Sequence, residues 1–443
     1  MQNQGIRDAR SLGTPKLFVL GLQHMFAMFG ATVLVPALTG LSVSATLLFA
    51  GLGTLFFHFV TKGKVPAFLG SSFAYLAGYA AIAPNGEAAL LPYACVGVAA
   101  SGLLYLILAA LVRGFGANRV MRFFPPVVTG PIIICIGMTL ANSAINNCTG
   151  SWDIALVAIL TVVIFNIWGK GMLRIIPILL GVLVSYVYAA VTGRVDFSGV
   201  ASAAWIGLPV KMENTVFSLI GNCDANLLVT AIIAIMPIAF ATMIEHIGDI
   251  CAISSTVGAN FIADPGLHRT LLGDGLATSI ASLFGAPANT TYGENTGVLA
   301  LTRVYDPLVI RLAAVYAIIA SFCPKFAALV SAMPTGTIGG VSLILYGMIS
   351  AIGVRNLVEN RVDLAKSRNV IVVSLIISLA LGITFSTAGA ITFHVGEFTL
   401  NFSGLAVAAI VGIVVNAILP GKDYNFQNDY EYGKTTEDHG QML

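Results

Sequence analysis

Residues 289–298 read NTTYGENTGV and residues 65–78 read VPAFLGSSFAYLAG. In the first stretch one carboxylate and one amide, Glu294 and Asn295, stand between Gly293 and Gly297. Two β-branched threonines and a tyrosine precede Gly293, a composition that favours extended backbone. Thr291-x-x-Glu294 has the pattern of a capping box, in which a hydroxyl and a carboxylate three residues on satisfy the free amides that open a helix. The second stretch offers Ser71 or Ser72 as the corresponding cap. Each segment therefore predicts a short extended stretch followed by a helix whose N-terminus lies inside the membrane. Free amides and the positive end of the dipole there donate to a carbonyl or an anion. Irregular backbone at such depth is tolerated only where it lines a cavity or is buried in protein.

The membrane setting follows from composition. The chain has 443 residues, 57% hydrophobic and 9% charged, against about 25% charged in soluble domains. Uncharged stretches such as 17–61, 154–169, 370–391 and 404–420 recur, and about 20 helical residues cross a hydrocarbon core. The first fourteen residues carry Arg7, Asp8 and Arg10 without an apolar core, so no cleavable signal peptide is expected. Six cysteines show neither CxxC nor Cys/His metal spacing, so no metal site or disulfide framework is expected.

Basic residues give the topology. They cluster as Arg7, Arg10 and Lys16; Lys62 and Lys64; Arg113, Arg119 and Arg122; Lys170 and Arg174; Arg269; Arg303 and Arg311; Arg355, Arg361, Lys366 and Arg368; and Lys422 with Lys434. If each cluster marks a cytoplasmic loop, eight clusters enclose fourteen spans with both termini inside. Of the 22 basic residues only Arg194, Lys211 and Lys325 then face outward, the asymmetry of the positive-inside rule. The polar stretch 193–224 reads as an extracellular linker between halves of similar length. Residues 421–443 read as a polar cytoplasmic tail.

The halves also resemble each other. Leu22-Gln23-His24 parallels Ile244-Glu245-His246, Ser71-Ser72-Phe73 parallels Thr290-Thr291-Tyr292, and GPIIICIGM (130–138) parallels GVSLILYGM (340–348), all in one order. With an odd number of spans per half, the second copy enters the membrane from the opposite side. The expected fold is an all-α polytopic membrane protein of 14 transmembrane segments in two inverted repeats, with short extended stretches in spans 3 and 10. Secondary transporters have this architecture, with the substrate near the midplane where the repeats meet.

Glu245, His246, Asp249 and Glu294 are the ionisable groups hardest to assign to a loop. A carboxylate at bilayer depth costs roughly 2.5 to 3.5 kcal/mol on insertion scales, so it should be paired, protonated or functional. Glu245 and Asp249, four apart, share a helix face, and His246 points elsewhere. A bland reading stays open, in which IEHIGD caps a loop or holds a structural ion pair. Gln23 and His24 read as interhelical hydrogen-bond partners, and His58 as structural. Carboxylates accept N–H bonds, half-helix amides donate to carbonyls, and the rings of Phe73, Tyr292 and Tyr346 offer flat faces. A planar ring alternating N–H and C=O groups, such as uracil or xanthine, satisfies all three.

Glu294-Asn295-x-Gly297-xxxx-Thr302-Arg303 resembles the signature of the nucleobase-ascorbate transporter family. LGLQHMFAMFGATVLVP (20–36), GKVPAFLGSSFAYL (63–76), IEHIGD (244–249) and TTYGENTGVLALTRVY (290–305) are similar to its uracil permease branch. The likeness covers nearly the whole membrane chain. Glu at the first signature position is usual for uracil transporters, Gln for purine transporters and Pro for ascorbate transporters, so Glu294 favours uracil.

The resemblance implies a core domain of 15–112 (spans 1–4) and 225–328 (spans 8–11), which carries substrate past a gate domain of 113–192 (spans 5–7) and 329–420 (spans 12–14). Residues 1–14 would form a cytoplasmic N-terminal segment. By motif, Glu245 and Glu294 would accept from uracil N–H groups, and the amides at Phe73 and Gly293 would donate to its carbonyls. Phe73 and Tyr292 would border the ring, Tyr346 would close it from the gate side, and Ser72 would support Glu294. Glu245, Asp249 and Asn295 are assigned to proton coupling, with Glu245 protonated when substrate binds. Asp249 stands where some relatives have a histidine. The expected protein is a proton-driven homodimeric importer of the cytoplasmic (inner) membrane, without catalytic residues, cofactor, metal or nucleic-acid partner.

Three rivals remain. A purine (xanthine or uric acid) permease of the same family is the nearest. An anion transporter or channel of the same fold is disfavoured because paired intramembrane carboxylates repel anions. An intramembrane enzyme is disfavoured because Glu245 and His246 are adjacent rather than on one face, and no nucleophile motif is visible.

Overall fold

The computed structural model describes residues 5–395 and 398–421. The expected tail, 421–443, lies outside the described residues except for Gly421, as do Lys422 and Lys434. The first half comprises α1 (Thr14–Thr39), α2 (Val43–Val60), β1 (Leu69–Ser71), α3 (Leu76–Ile82), α4 (Leu91–Phe115), α5 (Pro126–Cys148), α6 (Trp152–Trp168) and α7 (Pro177–Val191). Short helical turns, Ser198–Ser202, Met212–Asn214 and Val216–Leu219, occupy the linker. Next come α8 (Ala225–Ile235), α9 (Ala239–Val257), α10 (Leu267–Leu283), β2 (Asn289–Thr291), α11 (Gly293–Thr302), α12 (Pro307–Ser321) and α13 (Pro324–Ser331). The chain closes with α14 (Thr335–Glu359), α15 (Ser367–Thr384), the hairpin β3 (Ala390–Val395) and β4 (Phe398–Ser403), and α16 (Gly404–Ile418).

Among the described residues seven helical segments are long and apolar enough to cross a membrane, or eight if α12 and α13, which meet at 88°, form one span. Length alone thus gives fewer full-length spans than the fourteen expected. Three further apolar helices are shorter, α7 and α16 with 15 residues each and α6 with 17, and β1–α3 and β2–α11 are strand-plus-helix segments. Leu160, Ile167 and Val187 are among many exposed large apolar side chains, a surface suited to lipid rather than water.

The helix contacts come in matched sets. α2 packs on α12 as α4 packs on α10; α6 packs on α7 as α15 packs on α16; α1 packs on α12 as α8 packs on α4; and α6 packs on α14 as α15 packs on α5. α2 also meets α10, and α5 lies along α14. Exchanging the two halves in chain order converts each contact into its counterpart.

Three local features go beyond or depart from the sequence expectations. The 33-residue segment Ala225–Val257 breaks at Met236–Ile238, where Pro237 removes a backbone donor and crowds the preceding turn. The hairpin β3–β4 adds strands beyond the two extended stretches expected; Ile391, Thr392 and Phe393 are β-branched or aromatic, residues that suit a pleated surface. The helix starts also lack their anticipated caps. Tyr292, not Thr291, is the N-cap of α11 and makes no side-chain capping bond, and α3 begins after Tyr75 without one.

Candidate substrate site

The site is organised by two short strands. β1 and β2 pair antiparallel with Leu69 opposite Thr291, Gly70 opposite Thr290 and Ser71 opposite Asn289. Tyr292 N donates to Phe68 O (3.0 Å) and Ser72 N to Ala288 O (2.9 Å), extending the ladder at both ends. Inside a membrane the outer edges of so small a ribbon need partners of their own. Thr54 of α2 supplies one, accepting from Leu69 N (2.9 Å), and Thr278 of α10 supplies another, donating to Asn289 O (2.7 Å). His58 Nε2 lies 2.8 Å from Ala67 O, a structural contact as expected.

Where β2 ends, α11 begins. Thr291 Oγ1 donates to Asp249 Oδ2 at 2.8 Å instead of capping the helix. The first-turn amides of α11 therefore have no side-chain cap and point their positive end into the protein. A β-carbon built on Gly293 would lie 4.0 Å from Asp249 Oδ1 and 3.7 Å from Ile352 Cδ1, so Gly293 faces both α9 and α14. Glu294 occupies the first turn, half-buried. Glu245, one turn before Asp249 on α9, has a buried Oε2 with no partner among the described residues.

Other predicted residues fall around this centre. Phe73, just after β1, meets Tyr346 of α14 edge to face, with ring centroids 5.7 Å apart. Ser72 Oγ and the Tyr346 hydroxyl are buried without partners among the described residues. A buried polar group left unpaired costs about 1–3 kcal/mol, so these atoms and Glu245 Oε2 are positions where a polar ligand or water is stabilised. The Tyr292 hydroxyl has partners of its own. It donates to Ser71 O (2.9 Å) and lies 3.1 Å from Ser71 Oγ, and the tyrosine ring covers Gly70, where a β-carbon would come within 2.4 Å of Tyr292 Cζ. Asn295 turns toward α1, where its Nδ2 donates to His24 O at 3.2 Å and lies 3.2 Å from His24 Nδ1. The structure thus joins Asp249, Thr291 and Gly293, sets Phe73 against Tyr346, and gives Asn295 a separate partner.

A cavity of about 490 Å³ reaches this region between α9 and α11 on one side and α5 and α14 on the other. Asp249, Thr296, Ile133, Ile352 and Asn356 line it, and Arg355 and Glu359 stand in its wall. Of the predicted site residues only Asp249 lines the cavity itself.

Two polar features escaped the sequence reading. Thr291 is a side-chain partner of Asp249. Asp274, fully buried in α10, lies 3.0 Å from His246. The rule that singled out Glu245 applies equally to Asp274, an acid inside the apolar stretch LLGDGLATSIASL.

Comparison with known proteins follows the same lines. A family model described as "Permease family" matches residues 15–389. The chain is 42% identical over 437 residues to the uracil permease of Bacillus caldolyticus, covering 96% of each chain. It is 40% identical over 453 residues to the uracil permease of Bacillus subtilis (strain 168), covering 99% of this chain and 98% of that one. Among solved structures, the transmembrane domain of the cyanobacterium bicarbonate transporter BicA aligns with a TM-score of 0.62 at 12% identity, over 94% of this chain and 100% of that one. At that identity the likeness is one of fold.

Proposed function

The chain belongs to this permease family, the nucleobase-ascorbate transporters, and from that premise we propose that it imports uracil across the cytoplasmic membrane by proton symport. The observation that carries the proposal is the uncapped start of α11, with Glu294 in its first turn and Asp249 beside it, and with Glu245 one turn before Asp249 on α9. Uracil presents two ring N–H groups and two carbonyls in one plane. Glu245 and Glu294 accept the N–H groups, and the amides at Gly293 and Phe73 donate to the carbonyls. Phe73 and Tyr346 bound the ring, Tyr292 holds β1 to β2 behind it, and Ser72, whose hydroxyl is unpaired among the described residues, is assigned to support Glu294 when substrate is bound. Each interaction is charge-assisted or set in a low dielectric, where it is stronger than in water.

The matched helix contacts and the antiparallel β1–β2 ribbon support fourteen passes in two inverted repeats, the elements of 15–112 and 225–328 forming a core that moves against a gate of 113–192 and 329–420. Glu245 and Asp249 carry the coupling proton, and Asn295 assists through His24. With basic clusters inside, both termini are cytoplasmic and the cavity beside Arg355 faces the cytoplasm, so this conformation is inward-facing. The working unit is a homodimer.

The test is binding of radiolabelled uracil to the purified protein in detergent, competed by unlabelled xanthine. Uracil binding that xanthine does not compete supports the proposal. Xanthine binding without uracil binding would transfer the same site to a purine substrate.

A further inference from the structure

Behind the site lies a second buried polar pair. His246 Nδ1 is 3.0 Å from Asp274 Oδ2, and both side chains are fully buried. Apart from this contact, their polar atoms have no partner among the described residues. Phe57 of α2 and Tyr105 of α4 present their rings edge-on to the imidazole, with centroids 6.3 and 6.4 Å away. Two glycines make this enclosure possible. A β-carbon on Gly273 would come within 2.9 Å of Phe57 Cδ2, and one on Gly275 within 2.3 Å of Tyr105 Cβ.

Stability alone does not account for such a pair, because apolar residues of similar volume often replace a buried ion pair without loss. Location offers another reason. α9 follows a 3-10 turn at Met236–Ile238 that contains Pro237, and this change of winding shifts its phase relative to α8. Consecutive helical residues point about 100° apart, so anchoring His246 on α10 fixes where Glu245 points, and Asp249 with it.

We infer that the His246–Asp274 pair sets the rotation of α9 and thereby aims Glu245 and Asp249 at the substrate, making His246 and Asp274 positioning residues. The inference rests on the reading of Glu245 and Asp249 as substrate-side groups. The full-length protein is tested as Asp274→Leu, as His246→Leu/Asp274→Leu, and as His246→Gln/Asp274→Asn. Three quantities are read for each: melting temperature, uracil dissociation constant, and the rate at which a maleimide labels Cys251. Cys251 is an exposed thiol on α9 that lines the cavity, and it is read in a background with Cys223 and Cys323 changed to serine.

Asp274→Leu loses thermal stability, because it strands His246. The apolar double variant regains the wild-type melting temperature but binds uracil about tenfold more weakly, the size expected when one hydrogen bond to a charged group is lost, and its Cys251 labelling rate shifts severalfold. Wild-type affinity or an unchanged labelling rate in that variant overturns the inference. The amide pair keeps a neutral polar contact that still holds α9 against α10, and it binds uracil within about threefold of wild type. A loss there equal to that of the apolar pair overturns positioning in favour of a charge-dependent role. If the apolar double variant does not fold, Asp274→Glu decides: it weakens uracil binding and shifts the labelling rate, and a wild-type profile overturns the inference. If the wild-type protein binds no uracil, the transport reading fails and the Cys251 rate alone decides the pair.

Discussion

Thr291 Oγ1 donates a 2.8 Å hydrogen bond to Asp249 Oδ2, tying the last residue of β2 to the middle of α9. That bond holds one acidic group of α9 beside the start of α11 and keeps Thr291 from capping the helix. A strand end, a helix start and a carboxylate are thereby joined at one point, facing a cavity large enough for a nucleobase and several waters.

Replacing Thr291 by valine keeps the β-branched shape and removes the hydroxyl. Hydrogen bonds to charged groups contribute about 1.5–3 kcal/mol, so uracil affinity should fall on the order of tenfold or more while Thr291→Ser stays near wild type. Equilibrium binding to the purified protein measures both. Equal affinities for Thr291→Val and wild type would remove this bond from the account of the site.

Glu294→Gln keeps the size of the side chain but turns a two-oxygen acceptor into one that also donates. Loss of a charge-assisted bond to a ring N–H is expected to weaken uracil binding roughly tenfold to a hundredfold. Glu245→Ala should do at least as much. Wild-type competition curves for either variant would take that carboxylate out of the substrate's reach.

Gly70 and Gly293 separate packing from binding. At Gly70 a β-carbon would meet the Tyr292 ring at 2.4 Å, so Gly70→Ala should destabilise by about 1–3 kcal/mol through overpacking, seen as a lower melting temperature. At Gly293 the nearest atoms would be 3.7 and 4.0 Å away. Gly293→Ala should therefore melt like wild type yet bind uracil more weakly, because its methyl projects toward the space beside the α11 amides. A normal affinity with normal melting at Gly293→Ala would put the ligand elsewhere.

The proposed proton symport fixes the sign of the pH effect. A proton that enters with the substrate makes uptake into proteoliposomes rise when the outside is more acidic than the lumen and fall when the gradient is reversed. Glu245→Gln should abolish gradient-driven accumulation. Uptake indifferent to the imposed gradient would turn the search to sodium, tested by replacing it with choline.

Composition, charge clusters and local pattern were enough to read a polytopic membrane chain, two extended stretches each followed by a helix within 65–78 and 289–298, and a carboxylate at the start of the second helix. Those are local properties, set by residue type and period within about a dozen positions. The same reading misassigned the caps and missed the β3–β4 hairpin and Asp274. Thr291 has the right spacing to cap α11, but its hydroxyl is taken by Asp249, 42 residues earlier. Asn295 pairs with His24 across 271 residues of chain, and His246 reaches Asp274 on another helix. A hydrogen-bond partner is fixed by a few tenths of an ångström and by donor direction. Only the packing of α9 against α10, α11 and the β1–β2 ribbon sets distances that fine, so the membrane class was written in the sequence while the wiring of the site was decided by tertiary structure.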